Sequence, residues 1–366
     1  MNILLLEAYF TGSHKSWAED FQNFSSNDIN ILSMEGKFWK WRMQGGAITL
    51  AQKFNTMKSQ PDLIIATDML DLTTFMSLTR KKSSKIPTIL YFHENQLSYP
   101  WSKKDKDFIN NKHKHYGFIN YTSALTADYV LFNSNYHKNS FIDELTLFLK
   151  NFPDHNEIDT IQTIKDKSEV LYIGVDFKRF DSFKNVNTGP PLILWNHRWE
   201  HDKNPETFFK ILFNLHENEI DFRIAVLGEK YNKYPTIFDQ AKEILNNKIV
   251  YFGYCNSPKE YAEWLWKADI LPVTNNQDFF GISIMEAIYC DTYPLLPKRL
   301  SYPELMPIDY HKDHIYNNDG DLLNMLKSAI MNIEKIRKLK FNHIARPYDW
   351  SAMINIYDQL LLSFIK

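Results

Sequence analysis

Short apolar runs alternate with amphipathic stretches along the whole chain. Residues 2–6, 29–33, 63–67, 88–92, 129–133 and 170–175 read as strands buried on both faces, and so do 192–196, 223–227, 249–252, 270–274 and 293–296. Between them the pattern predicts helices over about 15–24, from Asp68 through 78, from Asn135 through 150, 205–215, 258–267, 281–288 and 322–339. A final amphipathic stretch, 350–365, follows a break at Pro347. Strand and helix alternating in this way predict an α/β protein with parallel sheets. The pattern pauses at residues 185–191, where Gly189, Pro190 and Pro191 mark a linker, and then restarts. The expected organisation is therefore two Rossmann-like domains, 1–186 and 187–347, facing a cleft, with 348–366 as a separate closing helix.

Composition narrows the class. A chain of 366 residues with 44% hydrophobic and 23% charged residues is long enough for two ordinary domains. The net charge of −2 gives no global basic field for nucleic acid. The only cysteines, Cys255 and Cys290, exclude a disulfide framework, and no metal-binding Cys/His spacing is present. The opening MNILLLEAYF has no basic leader, and no apolar run reaches the roughly 18 residues of a membrane span. A cytoplasmic setting is expected.

Candidate chemistry sits where strands end. After residues 270–274 comes NNQDFFGISIMEAIYCDTY, in which Asp278 precedes Phe279, Phe280 and Gly281, and Ile282 opens a helix carrying Glu286. Gly281 lets a ligand approach the backbone, and the helix amides favour a phosphate. Two carboxylates beside phosphate-facing amides suit a nucleotide sugar. Arg198 and Lys203 share the strand-to-helix loop after 192–196, where cations can neutralise a departing diphosphate; ion pairs with Glu200 and Asp202 are the alternative. Gly228, Gly253 and Tyr254 follow two further strands.

In the first half, Gly12, Ser13 and His14 form a strand-to-helix turn that can touch a phosphate or an acceptor hydroxyl, or simply start a helix with Ser13 as its cap. His93, Glu94 and Asn95 stand at the end of the 88–92 strand, where open α/β sheets bind ligands. Lys37, Phe38, Trp39, Lys40, Trp41 and Arg42 interleave rings and cations, which suits either base stacking or a helix start with buried rings. Residues 80–115, including Lys112 and Lys114, hold nine Lys or Arg against three Asp or Glu. Asp105-Lys106-Asp107 matches D-x-D but follows no strand, so it is not taken as a metal site.

The spacing of Asp278, Phe280-Gly281 and Glu286 resembles the E-x7-E signature of retaining, GT4-like glycosyltransferases of GT-B fold, with Asp where that pattern has Glu. ILLLEAYFTGSHK, the W-x-W-R of Trp39 to Arg42, YFHENQLSYP, WNHRWEHDKNPETFFKIL and FFGISIMEAIYCDTYPLLPK are together similar to the tRNA-queuosine α-mannosyltransferase family, over nearly the whole chain. That resemblance implies transfer of mannose from GDP-mannose to the cyclopentenediol of queuosine in a tRNA anticodon, with retention and without metal or other cofactor. It also implies a closing helix that crosses back to the first domain. Arg198, Lys203 and the amides after Gly281 would then stabilise the diphosphate, Glu286 would hold the ribose and Asp278 the mannose. His93 would contact the sugar or orient the acceptor. Gly12, Gly228, Gly253, Tyr254, Phe280 and Ile282 would line the donor. Ser13, His14, Trp39 to Arg42, Glu94, Asn95, Lys112 and Lys114 would face the tRNA. The competing expectations are a GT4-like enzyme with another donor or a lipid or polysaccharide acceptor, and a non-catalytic RNA- or protein-binding chain of the same fold.

Overall fold

The structure is a computed structural model that describes residues 1–102, 105–230 and 234–365. Lys103 and Lys104 of the basic stretch lie outside the described residues. The chain divides into two compact units, Met1–Val175 with Trp350–Lys366, and Asp176–Asp349. The division thus falls before the expected linker. Residues 178–191 bond to the second unit: Trp266 Nε1 donates to the Phe180 carbonyl at 2.8 Å, Asn187 Nδ2 to Asp269 at 2.6 Å, and Arg337 to the Gly189 carbonyl at 2.7 Å. Those bonds make the Gly-Pro stretch part of a domain rather than a tether.

The first unit is built on a parallel six-stranded sheet of order β2-β1-β3-β4-β5-β6. Its strands are β1 (Asn2–Phe10), β2 (Asp28–Glu35), β3 (Leu63–Thr67), β4 (Thr88–Phe92), β5 (Tyr129–Phe132) and β6 (Ser168–Val170). β3 and β4 are buried at every position, as their unbroken apolar runs require. The last strand differs from the expected 170–175: its partner β5 ends at Phe132, which pairs with Val170, so later residues have no neighbouring ladder. The first helix begins at Gly12 and ends at Phe24, with Thr11 rather than Ser13 at its cap.

The closing helix, Trp350–Ser363, belongs to this unit. Tyr357 Oη accepts from Trp17 Nε1 at 3.2 Å, and Asp358 takes hydrogen bonds from Ser25, Ser26 and Asn27. Trp350 is fully buried and stacks on Phe21 at 6.0 Å. Gly174 makes room for it, since a Cβ there would lie 2.4 Å from the indole. Trp350→Ala should therefore destabilise this unit by about 3–5 kcal/mol, read from the urea midpoint of its unfolding; a loss below about 1 kcal/mol would contradict the packing.

The second unit repeats the plan with order β12-β11-β10-β7-β8-β9. Its strands are β7 (Leu192–Asn196), β8 (Arg223–Leu227), β9 (Ile249–Gly253), β10 (Ile270–Pro272), β11 (Tyr293–Pro297) and β12 (Ile315–Tyr316). The helix expected over 322–339 is two pieces, Asp319–Met331 and Ile333–Ile336, broken at Asn332, whose side chain donates to the Ser328 carbonyl. In each unit successive strands fill one side of the first strand and then the other. The order reverses between β1 and β3, and between β7 and β10. The crevice outside the carboxyl ends at such a reversal is where open parallel sheets bind ligands.

Candidate active site

In the second unit the β7 and β10 ends carry the loops with Arg198, Lys203 and Asp278. The loops are sewn together: Asn276 N–H donates to the Asp202 carbonyl at 2.7 Å, and Arg299 donates to the carbonyls of Thr274 and Asn275. Lys203 is buried, and its ammonium donates to the Gln277 carbonyl at 2.7 Å and to Asp278 Oδ1 at 2.9 Å. Asp202 Oδ2 lies 3.0 Å from the same nitrogen but satisfies no hydrogen-bond angle. An ammonium has three protons, and the third faces Asp202 across this ion pair. Burial penalises the Lys203 cation, but Asp278 and Asp202 outweigh that and raise its pKa. Burial likewise penalises the Asp278 carboxylate, but Lys203, with His197 and the hydrogen bonds from Tyr302 and Asn275, lowers its pKa.

Asp278 is an anchor as much as a contact. Besides Lys203 it accepts from Asn275 Nδ2 at 2.6 Å and Tyr302 Oη at 2.5 Å. Glu286 is likewise engaged: Oε1 accepts from Arg179 at 2.6 Å and Oε2 from Tyr261 at 2.7 Å. Burial and Glu286 push the Tyr261 phenol well up, so it stays a donor. Each carboxylate oxygen of Glu286 retains a second lone pair for a ligand hydroxyl. Arg198 is half exposed and pairs with Glu200 at 3.2 Å, so the ion pairs weighed from sequence form at both cations of this loop.

Gly281 is the cap of the helix Ile282–Tyr289 and sits at φ 91°. A Cβ there would meet Ile284 and Tyr302 at 3.3 Å, and φ alone excludes most side chains. The first amides of this helix have no carbonyl a turn earlier to bond within it. Phe280 is buried, and its carbonyl accepts from Ser301. Gly228 N–H donates to the Gly253 carbonyl at 3.1 Å, which joins the β8 and β9 ends, and Tyr254 beyond them is exposed.

The most telling feature was not singled out from sequence. Among the described residues, Asn196 Oδ1, His197 Nε2, Asp202 Oδ2, Asn275 Oδ1 and Gln277 Nε2 are buried without a hydrogen-bond partner. All five lie at the β7 and β10 ends. Buried polar groups are almost always paired, so such a concentration indicates a ligand's place. His197 adds to it: burial brings its pKa down to about 4, and its Nδ1 faces Ser283 Oγ at 3.3 Å.

The first unit has its own cluster at the β1, β3 and β4 ends. Glu7, fully buried, accepts from Tyr9 N–H at 2.8 Å and faces His14 Nδ1 at 3.1 Å. The His14 and His93 rings lie 4.4 Å apart, and Trp17 and Tyr91 box the His93 ring in. Asp68 fixes the turn by accepting from His93 N–H at 2.7 Å. His93 Nε2 has no partner, and burial followed by the His14 charge lowers its pKa well below the usual range. Burial also disfavours the His14 imidazolium, but Glu7, with Asp68 and Glu94, overcomes this and raises His14 to about 9. Asp68 and His197 share a readable signal, a titratable residue just beyond a buried strand, and Glu7 closes the apolar run of β1.

Several expected acceptor contacts take other parts. Asn95 is fully buried and closes a turn onto Leu97 and Ser98. Glu94 accepts from Gln96 at 2.9 Å. Trp39 packs on Trp101 and Tyr116, and Lys40 is held by Asp105 and Asp107 at 2.7 Å each. The basic stretch also separates. Arg80, Lys81 and Lys82 end the helix Leu72–Ser83, which runs back toward the start of β4, whereas Lys112 and Lys114 lie beyond the β4 end and are exposed. The crossover helix moves the first group to the opposite edge of the sheet. Ser13 is exposed, and Gly12 sits at φ 50° with open space where a Cβ would be.

The family described as "tRNA-queuosine alpha-mannosyltransferase N-terminal" matches residues 2–175, and "Glycosyl transferases group 1" matches residues 176–338. A Drosophila melanogaster tRNA-queuosine alpha-mannosyltransferase is 34% identical over 335 residues, covering 89% of this chain and 86% of that protein. Among solved structures, Anabaena HepE in complex with UDP aligns at TM-score 0.68 and 13% identity, over 99% of this chain and 100% of that one. Sucrose-phosphate synthase from Thermosynechococcus elongatus aligns at 0.70 and 10% identity, over 99% and 100% of the two chains. These likenesses support the two-domain GT-B fold.

Proposed function

Because the chain belongs to the tRNA-queuosine alpha-mannosyltransferase family, we propose that it moves mannose from GDP-mannose to the cyclopentenediol of queuosine in a tRNA anticodon, with retention of configuration. Its membership makes it a glycosyltransferase; the donor, the stereochemistry and the residue roles are the proposal. The observation that carries the donor site is the group of buried polar atoms without a hydrogen-bond partner at the β7 and β10 ends, Asn196 Oδ1, His197 Nε2, Asn275 Oδ1 and Gln277 Nε2 with the ion-paired Asp202 Oδ2, beside Lys203 and the amides after Gly281.

The second unit holds the donor. The helix amides and the Lys203 ammonium, turning from Asp202, take diphosphate oxygens, Arg198 swings from Glu200 to the same charge, and Glu286 holds the ribose. Asp278 fixes Lys203 and keeps one lone-pair direction for a sugar hydroxyl. In the reaction the anomeric carbon–phosphate oxygen bond breaks while the acceptor hydroxyl attacks from the same face. The hydroxyl proton passes to the departing phosphate, so no protein carboxylate needs to act as nucleophile, unlike the second carboxylate of a retaining hydrolase.

No metal takes part in this scheme. Glu7, His14 and His93 bring potential ligand atoms within 4.8 Å of one another, yet a metal would have to displace the proton that Glu7 holds on His14. Among the described residues no helix is long and apolar enough to cross a membrane.

The test is incubation with queuosine-containing tRNA and, separately, GDP-mannose, GDP-glucose, UDP-glucose and UDP-galactose, with and without EDTA, followed by mass spectrometry of the nucleosides. Hexosyl-queuosine from GDP-mannose alone, undiminished by EDTA, is expected. Addition from another donor would overturn the sugar assignment, and loss with EDTA the metal-free mechanism.

A further inference from the structure

We propose that Phe38 and Trp41 form a stacking platform for unpaired bases of the RNA loop beside the nucleotide that is glycosylated, which rests on a tRNA being the acceptor. Of the aromatic-cationic run, Trp39 and Lys40 are engaged by the protein, and the two exposed rings are Phe38 at 78% and Trp41 at 60%.

Its geometry is unfavourable for a phenylalanine. Phe38 caps the helix Trp39–Thr56 in the left-handed region, φ 53° and ψ 55°, and offers no cap hydrogen bond. Asn204 caps the helix Pro205–Glu217 with nearly the same backbone, φ 52° and ψ 54°, and its side chain does accept from Thr207 N–H. Asparagine tolerates this conformation, whereas a bulky side chain there is an outlier. A ring that is strained, uncapped and exposed at once suggests a role outside the fold.

Trp41 is seated for the same use. A Cβ at Gly45 would lie 2.7 Å from its indole, so the ring lies across a glycine one turn along the helix. That position fixes one face and leaves the other to solvent. Every base has a π-face, so such rings bind single-stranded RNA with little sequence preference. Charge complements them. The Trp39, Trp101 and Tyr116 stack and the Lys40 bridge to Asp105 and Asp107 tie this helix start to the segment bearing the exposed Lys106, Lys112 and Lys114. Two patches that are far apart in sequence thus form one surface of rings and cations. Arg42 extends it, since its Nε donates to the Glu35 carbonyl and no carboxylate lies within ion-pair reach among the described residues. Gly36 draws the same turn against Thr11, where a Cβ would meet it at 2.3 Å, next to the loop that bears His14.

The experiment is fluorescence anisotropy of a labelled anticodon stem-loop lacking queuosine, over a salt series, with melting temperatures for each variant. Trp41→Ala should weaken binding by about 5- to 100-fold with an unchanged salt slope, with Trp41→Phe between it and the parent. Lys112→Ala with Lys114→Ala should instead flatten the slope by about 1–2. Phe38→Asn should weaken binding yet raise the melting temperature by about 2–4 °C, because it relieves the strain and supplies the cap. A purely structural Phe38 would give the opposite sign in the melt. Parental RNA affinity in both Phe38→Asn and Trp41→Ala would overturn the platform. Because the probe carries no queuosine and needs no sugar, failure of glycosyl transfer is read separately and leaves this result standing.

Discussion

Arg198→Ala is expected to lower kcat about 10²- to 10³-fold with no change in melting temperature, and Lys203→Ala to remove measurable transfer. The two cations share a loop and a proposed task, so the difference lies in their surroundings. Arg198 is half exposed and its partner Glu200 is 30% exposed, so removing it leaves no uncompensated buried charge. Its loss registers only when the diphosphate acquires charge in the transition state, which is where a preorganised donor matters most. Lys203 is 10% exposed between Asp202 and Asp278, at 12% and 17%. Deleting it strips both carboxylates of their counter-charge, and breaking a buried pair costs about 3–5 kcal/mol. Lys203→Ala therefore combines lost phosphate binding with a disturbed loop, whereas Arg198→Ala isolates the electrostatic contribution. Single-turnover kinetics with saturating donor check both. Near-parental turnover of Arg198→Ala would remove that residue from the leaving-group site.

These expectations also mark what the sequence made legible. The alternating pattern and the positions of most strands followed from apolar runs alone, because parallel strands buried on both faces have no competing polar alternation. The loops at β7 and β10 were legible because ligands gather at strand ends. What remained hidden was pairing. Nothing in the spacing told that Asp278 would hold Lys203, that Arg179 and Tyr261 would claim Glu286, or that Lys40 would lock onto Asp105 and Asp107. These contacts join residues 25 to 107 positions apart. The aromatic run misled for a related reason: periodicity places four residues on a helix start but not which ring a tertiary stack from Trp101 will cover. The linker was placed too late because its Gly and Pro signals are local, while the bonds of Asn187 and Gly189 to Asp269 and Arg337 are not.

The cluster at the β1, β3 and β4 ends leads to the second large effect. If His14 works as an imidazolium, offering Nε2–H to a substrate oxygen, activity should be steady through neutral pH and fall as pH rises through about 9, its raised pKa. Glu7→Gln should bring that basic limb into the neutral range. The amide keeps an oxygen for Tyr9 N–H, so the strand end stays satisfied, but the charge that outweighed burial is gone. A limb moved by one unit is a tenfold loss at a pH above it, and a loss of about 10- to 100-fold at pH 8 follows. Other groups face the ring: Asp68, raised by its own burial and opposed by His14, and Glu94 from the β4 end, while His93 stays neutral beside it. They set how steep the limb is and not its direction, since the Glu7 charge is the largest contribution that raises His14. The same linkage governs stability. A histidine raised above 6.5 on folding contributes fully below pH 6.5, and the contribution, about 3 kcal/mol, is lost as pH climbs through 9. Parent and Glu7→Gln should therefore differ most in melting temperature near pH 6 and converge above pH 9. A Glu7→Gln protein with an unshifted basic limb would show that His14 does not need its proton, and the ion pair would then be only a brace for the turn.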